Sequence, residues 1–275
     1  MTGDLKAFKR RHTPREPARS ALITGATGGI GEAFAHALAP TTNLVLTGRD
    51  EEKLSNLSRV FEGGVTTVVA DLSTEAGQNA VAAAAETAGC DLLINNAGLG
   101  AYGNFLDVPL TDQRATVHVD VEAVIALIHK IVPGMLNRAE LMDTRAGLIN
   151  VASSMAFYPL PTMATYAASK AFILSFTESL AAELTDRPID VLAACPGAVK
   201  TPFGSRAGYA GGEIPGAMAP EKVASSSLAA LGRQTTVVIG PVSAAAFAPV
   251  AMARSLFGQA ALQATRLAQK VSDRV

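Results

Sequence analysis

Seven short apolar runs punctuate this 275-residue chain, mostly without polar alternation. Ser20–Thr24, Asn43–Thr47, Thr66–Ala70, Asp91–Asn95, Gly147–Ala152, Asp190–Ala194 and Thr236–Ile239 read as strands buried on both faces, the pattern of a parallel sheet. Helical periodicity lies between them, most clearly over Glu75–Thr87, Asp112–Asn137 and Ala164–Thr185. Right-handed crossovers linking such strands predict an α/β fold, a doubly wound parallel sheet with ligands at the carboxyl ends of its strands.

The first strand candidate runs through TGATGGIG into an amphipathic helix, the order of a dinucleotide site in a Rossmann-like sheet. Gly25 permits the tight turn, Gly29 lets the backbone approach a pyrophosphate, and Gly31 lets helix and strand pack closely. Thr27, Gly28 and Ile30 complete the loop, which ends at a helix N-terminus whose free amides suit phosphate. The spacing is TGxxxGxG rather than the commoner GxGxxG, and a glycine cluster by itself is often only a turn.

At the end of the second strand stand Gly48 and Arg49, where an NAD site would place an acid for the ribose hydroxyls. Arg49 instead offers a planar cationic fork for a 2′-phosphate, so NADP(H) is expected and NAD(H) is the lesser fit. Asp50 reads as the N-cap of the helix DEEKLSNL. The pair Asp71-Leu72 closes the third strand and is placed to hold an adenine edge and face, with a helix cap as the plainer reading.

Tyr166 and Lys170 sit one turn apart in YAASK and share a helix face. A phenol with a pKa of about 10 exchanges protons poorly near neutrality, and lowering it by roughly three units takes about 4 kcal/mol of differential stabilisation. A neighbouring ammonium supplies stabilisation of that sign, so Tyr166 is a candidate general acid/base with a lowered pKa. The plainer reading is a packed ring beside a solvated charge.

With 49% apolar and 17% charged residues and a net charge of −1, the chain has the composition of one soluble domain, and no charge excess points to nucleic acid. Cys90 and Cys195 form no spaced framework and are expected as free thiols in a reducing compartment, the cytoplasm. His12, His36, His118 and His129 show no ligand spacing, so no metal is expected. Residues 1–19 read as a flexible basic tail interrupted by Pro14 and Pro17, whose charge suits at most a weak contact with acidic lipid. No run is apolar and long enough for a transmembrane segment, VSAAAFAPVAMA being interrupted by Pro249 and followed by Arg254.

Taken together, TGATGGIG, Asp71-Leu72, NNAG at Asn95 to Gly98, Ser153 13 residues before the tyrosine, YAASK, and PGAVKT at Pro196 to Thr201 resemble the short-chain dehydrogenase/reductase family in order and spacing. The resemblance covers the chain from about Ser20 to Gly240, and Gly48-Arg49 is similar to the NADP-preferring branch. It implies that Asn95, Ala97 and Gly98 stabilise the sheet centre beside the cofactor. It also implies that Pro196, Gly197, Val199 and Thr201 meet the nicotinamide side, and that Lys170 holds the nicotinamide ribose as well as tuning Tyr166. Of two adjacent serines the spacing selects Ser153, expected to orient the substrate oxygen, with Ser154 turned elsewhere. One departure stands out: the family usually carries Asn in a VNV-like run that supports a proton relay, and in TVHVDV the corresponding residue is read as His118.

The implied reaction is hydride transfer between NADP(H) and a carbonyl or secondary alcohol, with Ser153, Tyr166, Lys170 and His118 as the catalytic set. An NADP(H)-binding regulatory or scaffold protein is the alternative, with His118 as its only support. Phe203 to Pro220, rich in Gly and Ala, reads as a substrate lid, and about 244–272 as a C-terminal helical segment. Leu99, Tyr102, Phe105, Met155, Phe157, Tyr158, Leu160 and Met163 predict an apolar pocket for a hydrophobic small molecule. The helices Asp112–Asn137 and Ala164–Thr185 are the expected pairing surfaces of a homodimer or homotetramer.

Overall fold

A computed structural model describes residues 18–212, 216–240, 244–254 and 257. The elements run β1 (Ser20–Thr24), α1 (Gly29–Leu38), β2 (Asn43–Gly48), α2 (Glu51–Ser58), β3 (Val65–Val69), α3 (Glu75–Thr87), β4 (Leu92–Asn95), α4 (Leu110–Val117) and α5 (Ala123–Met142). They continue with β5 (Ala146–Val151), α6 (Ala164–Glu183), β6 (Ile189–Pro196), α7 (Phe203–Arg206), α8 (Pro220–Ala230) and β7 (Thr236–Ile239). Helix starts are written locally: Asp50 accepts from the Lys53 amide at 3.0 Å and Thr74 from the Gly77 amide at 3.1 Å, each satisfying an amide that has no intrahelical partner.

The seven strands form one parallel sheet in the order β3-β2-β1-β4-β5-β6-β7. The winding reverses between β1 and β4, which opens a crevice at their carboxyl ends. Every residue of β1, β4 and β5 is buried, as their continuous apolar runs require. One face packs Phe34, Leu46 and Leu54 with α1 and α2; the other packs Leu127, Ile131, Met135 and Leu174 beneath α5 and α6. Each such side chain contributes roughly 1.5–3 kcal/mol relative to exposure. β3 is an edge, and it places Thr66, Thr67 and Val69 at the surface.

The helix expected over Asp112–Asn137 is not continuous. α4 passes into a π-turn over His118–Glu122 before α5 begins, with the Ala123 amide donating to the His118 carbonyl. Residues 244–254 are helical, and Phe247 stacks on Phe157 at 5.2 Å between ring centroids. The expected basic tail lies outside the described residues up to residue 17, as do 213–215 of the lid and all of the C-terminal segment beyond 257. No described helix is long and apolar enough to cross a membrane.

Candidate active site

At the carboxyl end of β1 the chain turns through Gly25 at φ 64°, where an added Cβ would lie 2.8 Å from the Ala97 Cα. At Gly31 a Cβ would come within 2.3 Å of the Gly25 carbonyl oxygen. These two positions hold the turn and α1 in contact. The opening amides of α1 have no intrahelical partner, and Gly28, Gly29 and Ile30 line a cavity beside them.

The cavity wall is braced from behind. The Thr24 hydroxyl accepts from the amides of Asn96 and Ala97, both at 2.9 Å, and the Asn96 side-chain amide donates to the Thr24 and Gly25 carbonyls. Deeper, the Asn95 amide donates to the Asn150 carboxamide oxygen at 2.9 Å, and Asn150 donates in turn to the Thr177 hydroxyl at 2.9 Å. This buried chain ties β4 and β5 to α6, where the reactive side chains sit.

Tyr166 and Lys170 are both buried on the inner face of α6, with the ammonium 5.5 Å from the phenol ring centroid. The Ser153 hydroxyl lines the same cavity as the phenol and accepts from the Met155 amide at 3.1 Å, while Ser154 begins a short 3-10 turn and does not line the cavity. The Lys170 ammonium donates to the Val151 carbonyl at 3.3 Å and pairs with the Asp120 carboxylate at 3.1 Å. Asp120 also accepts from the Leu99 amide at 2.7 Å and from the Ser169 hydroxyl at 3.2 Å.

Burial pushes the Tyr166 phenol above its ordinary value; Lys170 pulls against that shift, Asp120 adds to it, and Ser153 opposes it. The lowering expected from the Tyr166–Lys170 spacing is thus present as one contribution and outweighed. For Lys170, burial disfavours the charged form, but Asp120 and Tyr166 more than compensate and the ammonium is held above its usual range. Burial likewise pushes the Cys195 thiol up to about 12, which leaves it inert. Cys90 and Cys195 are both free thiols.

The cavity occupies about 1040 Å³ and runs from the α1 N-terminus past Arg49, Asp71 and Leu72 to Tyr166 and the Pro196–Thr201 segment. Among the described residues its charged lining comprises Arg49, Lys170, Lys200 and Arg206 against Asp71, a balance suited to an anionic ligand. Asp71 accepts from the amide and hydroxyl of Ser73, at 2.9 and 2.8 Å, and these bonds hold its carboxyl below the usual range. It therefore both shapes the turn into α3 and faces the cavity. Lys200, within PGAVKT, and Phe203, Arg206 and Tyr209, within the expected lid, also line the cavity, though none was individually assigned a role from the sequence. Among the described residues no group of three or more His, Cys, Asp or Glu is placed to hold a metal ion.

A family profile described as short chain dehydrogenase matches residues 19–209, most of the chain. The chain belongs to the short-chain dehydrogenase family. It is 38% identical over 192 residues to the oxidoreductase UcpA of Salmonella typhimurium, covering 67% of this chain and 71% of that one. A short-chain dehydrogenase from Sphingobium yanoikuyae solved with NADPH superposes with a TM-score of 0.74 at 28% identity, covering 87% of this chain and 94% of the other. A 3-ketoacyl-(acyl-carrier-protein) reductase from Brucella melitensis solved with NADH gives 0.72 at 29% identity, over 80% and 96%.

Within this short-chain dehydrogenase three of the catalytic and cofactor-binding residues selected from the sequence do not line the cavity. Gly31 acts behind the turn as a packing position, and Asn95 acts in the sheet centre through Asn150. His118 is the larger correction: its ring is exposed and bonds Glu122 on its own helical turn, while the residue beneath Lys170 is Asp120. Two positions along a helix rotate a side chain by roughly 200°, so the two-residue offset exchanges the buried face for solvent. His118→Asn is accordingly expected to leave the pH profile of turnover unchanged and to cost about 0.5 kcal/mol or less in stability, since it loses only an exposed pair; thermal melting and a pH series check both. Of the apolar residues expected in the pocket, Leu99, Tyr102, Met155, Leu160 and Met163 line it. Phe105 is exposed, and Phe157 and Tyr158 stack on Phe247 instead.

Proposed function

We propose that this short-chain dehydrogenase transfers hydride between NADP(H) and a carbonyl or secondary alcohol of an apolar small molecule. The observation that carries the reading is the placement of Ser153, Tyr166 and Lys170 at one end of a cavity whose other end is a glycine cradle on a helix N-terminus. The residues fit a dinucleotide: the close approaches at Gly25 and Gly31 keep the turn tight, and the cationic lining suits phosphate.

When bound, the nicotinamide supplies the hydride chemistry. Tyr166, protonated at neutral pH because burial raises its proton affinity, donates to the carbonyl oxygen in the reductive direction. Ser153 hydrogen-bonds that oxygen and orients it toward the phenol. Lys170 stabilises the phenolate left behind. Thr27, Asp71, Leu72, Ala97 and Gly98 line the cavity where they would hold the nucleotide, and Pro196, Gly197, Val199 and Thr201 would hold it toward the reactive end. Leu99, Tyr102, Met155, Leu160, Met163 and Phe203 form the apolar side, and the Phe203 ring lies 5.1 Å from that of Tyr166. Of the expected lid, Phe203, Arg206, Tyr209 and Ala217 line the cavity, which supports a covering role for the described part of that segment.

Arg49 stands at the end of β2, exposed on the cavity rim, and carries the preference for NADP(H). A charge-assisted bond of about 1.5–3 kcal/mol corresponds to roughly 10- to 150-fold in affinity. Arg49→Ala should weaken NADPH binding by that factor and leave NADH binding nearly unchanged in calorimetric titrations of both. Equal losses for the two nucleotides would remove Arg49 from a 2′-phosphate role.

The regulatory alternative loses its support, because His118 faces solvent rather than the site. Free, buried thiols suit a reducing compartment such as the cytoplasm. Pairing through α5 and α6 in a homodimer or homotetramer remains the expected assembly.

A further inference from the structure

Against Gly98 at the cavity wall, a carboxylate and an ammonium meet with almost no exposure: the Asp120 and Lys170 side chains are 0% and 6% exposed. A Cβ at Gly98 would lie 3.1 Å from the Lys170 nitrogen and 3.4 Å from an Asp120 oxygen, so the glycine backbone packs directly on the pair, of which Lys170 reaches the cavity and Asp120 does not. Asp120 is fixed by three donors, the Leu99 amide, the Ser169 hydroxyl and the Lys170 ammonium. Its place in the π-turn presents it to α6. We propose that Asp120 is a positioning residue that sets the working pH of the site, neutralising the Lys170 charge so that the Tyr166 phenol keeps its proton to higher pH than a neutral residue at position 120 would allow.

An ammonium beside a phenol favours the phenolate, whereas an ammonium already paired with a buried carboxylate presents a dipole, whose field is weaker and falls faster. The groups facing Tyr166 from other elements do not reverse this balance. Ser153, just past β5, is a neutral hydroxyl, and Phe203 on α7 is apolar. Lys200 and Arg206 line the same cavity, and both persist when position 120 is changed. The shift in Tyr166 has the same direction, with Asp120 among the influences that raise it.

The inference rests on Tyr166 being the acid/base of the proposed function, and its test separates the two. Phenolate absorbance of the full-length protein is titrated without cofactor, using Tyr166→Phe to subtract the other three tyrosines; the chain has four Tyr and no Trp to interfere. Asp120→Asn is expected to lower the Tyr166 midpoint by about one unit or more, and to move the high-pH loss of carbonyl reduction downward by the same amount. The sign follows because reduction needs the protonated phenol and fails as pH rises through its pKa. Asp120→Ser, neutral and smaller, should do the same and serves if the Asn variant melts early. A titration unmoved, or moved upward, in folded neutral variants overturns the inference, even if turnover falls, because lost packing alone would lower activity without displacing the midpoint. A displaced midpoint without turnover on any carbonyl upholds the inference and counts against the proposed function alone.

Discussion

Tyr166→Phe is expected to reduce turnover by about 10²- to 10⁴-fold, with NADPH affinity changed by about twofold at most, since the hydroxyl is lost and the ring that packs against Phe203 is kept. The phenol shares the cavity with Ser153 and lies beside the Lys170 ammonium, 5.5 Å from its ring centroid. Lys170 is fully engaged with Asp120 and Val151, and its ammonium is held above its usual range. Steady-state rates on a panel of apolar ketones, together with nucleotide titration, check the split. Retained turnover with the ring alone would remove Tyr166 from the chemistry; joint loss of turnover and binding would make its role structural.

The second large effect is expected at Gly31. Alanine there places Cβ 2.3 Å from the Gly25 oxygen and 2.9 Å from the Ala26 Cα, both backbone atoms that cannot swing aside. The turn and α1 must separate, an overpacking strain of about 1–3 kcal/mol, or roughly 2–12 °C of melting temperature for a chain of this size. Because the same displacement opens the phosphate cradle, nucleotide affinity should fall at least about tenfold, the equivalent of 1.4 kcal/mol of misplaced contacts. Gly63→Ala is the matched control: its nearest atom would be 3.7 Å away, its φ is not positive and the site is exposed, so neither quantity should move. A Gly31→Ala protein that melts and binds like the parent would show the turn to be looser than its geometry implies.

Much of the fold was legible because its code is local and periodic. The seven strand candidates fell within a residue or two of β1–β7, and Glu75–Thr87 coincided with α3, since buried parallel strands and amphipathic helices each carry a distinctive run of apolar residues. Asp50 was readable as a cap because capping is decided within three residues. The reactive face was legible for the same reason: Tyr166 and Lys170 lie four apart on one helix, and helical geometry alone brings them together.

What the sequence left open was whatever depended on elements distant along the chain. Nothing in TVHVDV says which residue meets Lys170, because a π-turn sets the phase of that helix and α6 arrives 49 positions later to meet Asp120 through Ser169. Apolar character near the predicted site likewise selected Phe157 and Tyr158 for the pocket, but both stack on Phe247. The proton affinity of Tyr166 belongs to this class too. Sequence spacing determined that a cation would sit beside the phenol; only the tertiary structure decided that burial and a carboxylate would outweigh it, because desolvation and long-range charge are properties of the packed surroundings rather than of neighbours in the chain.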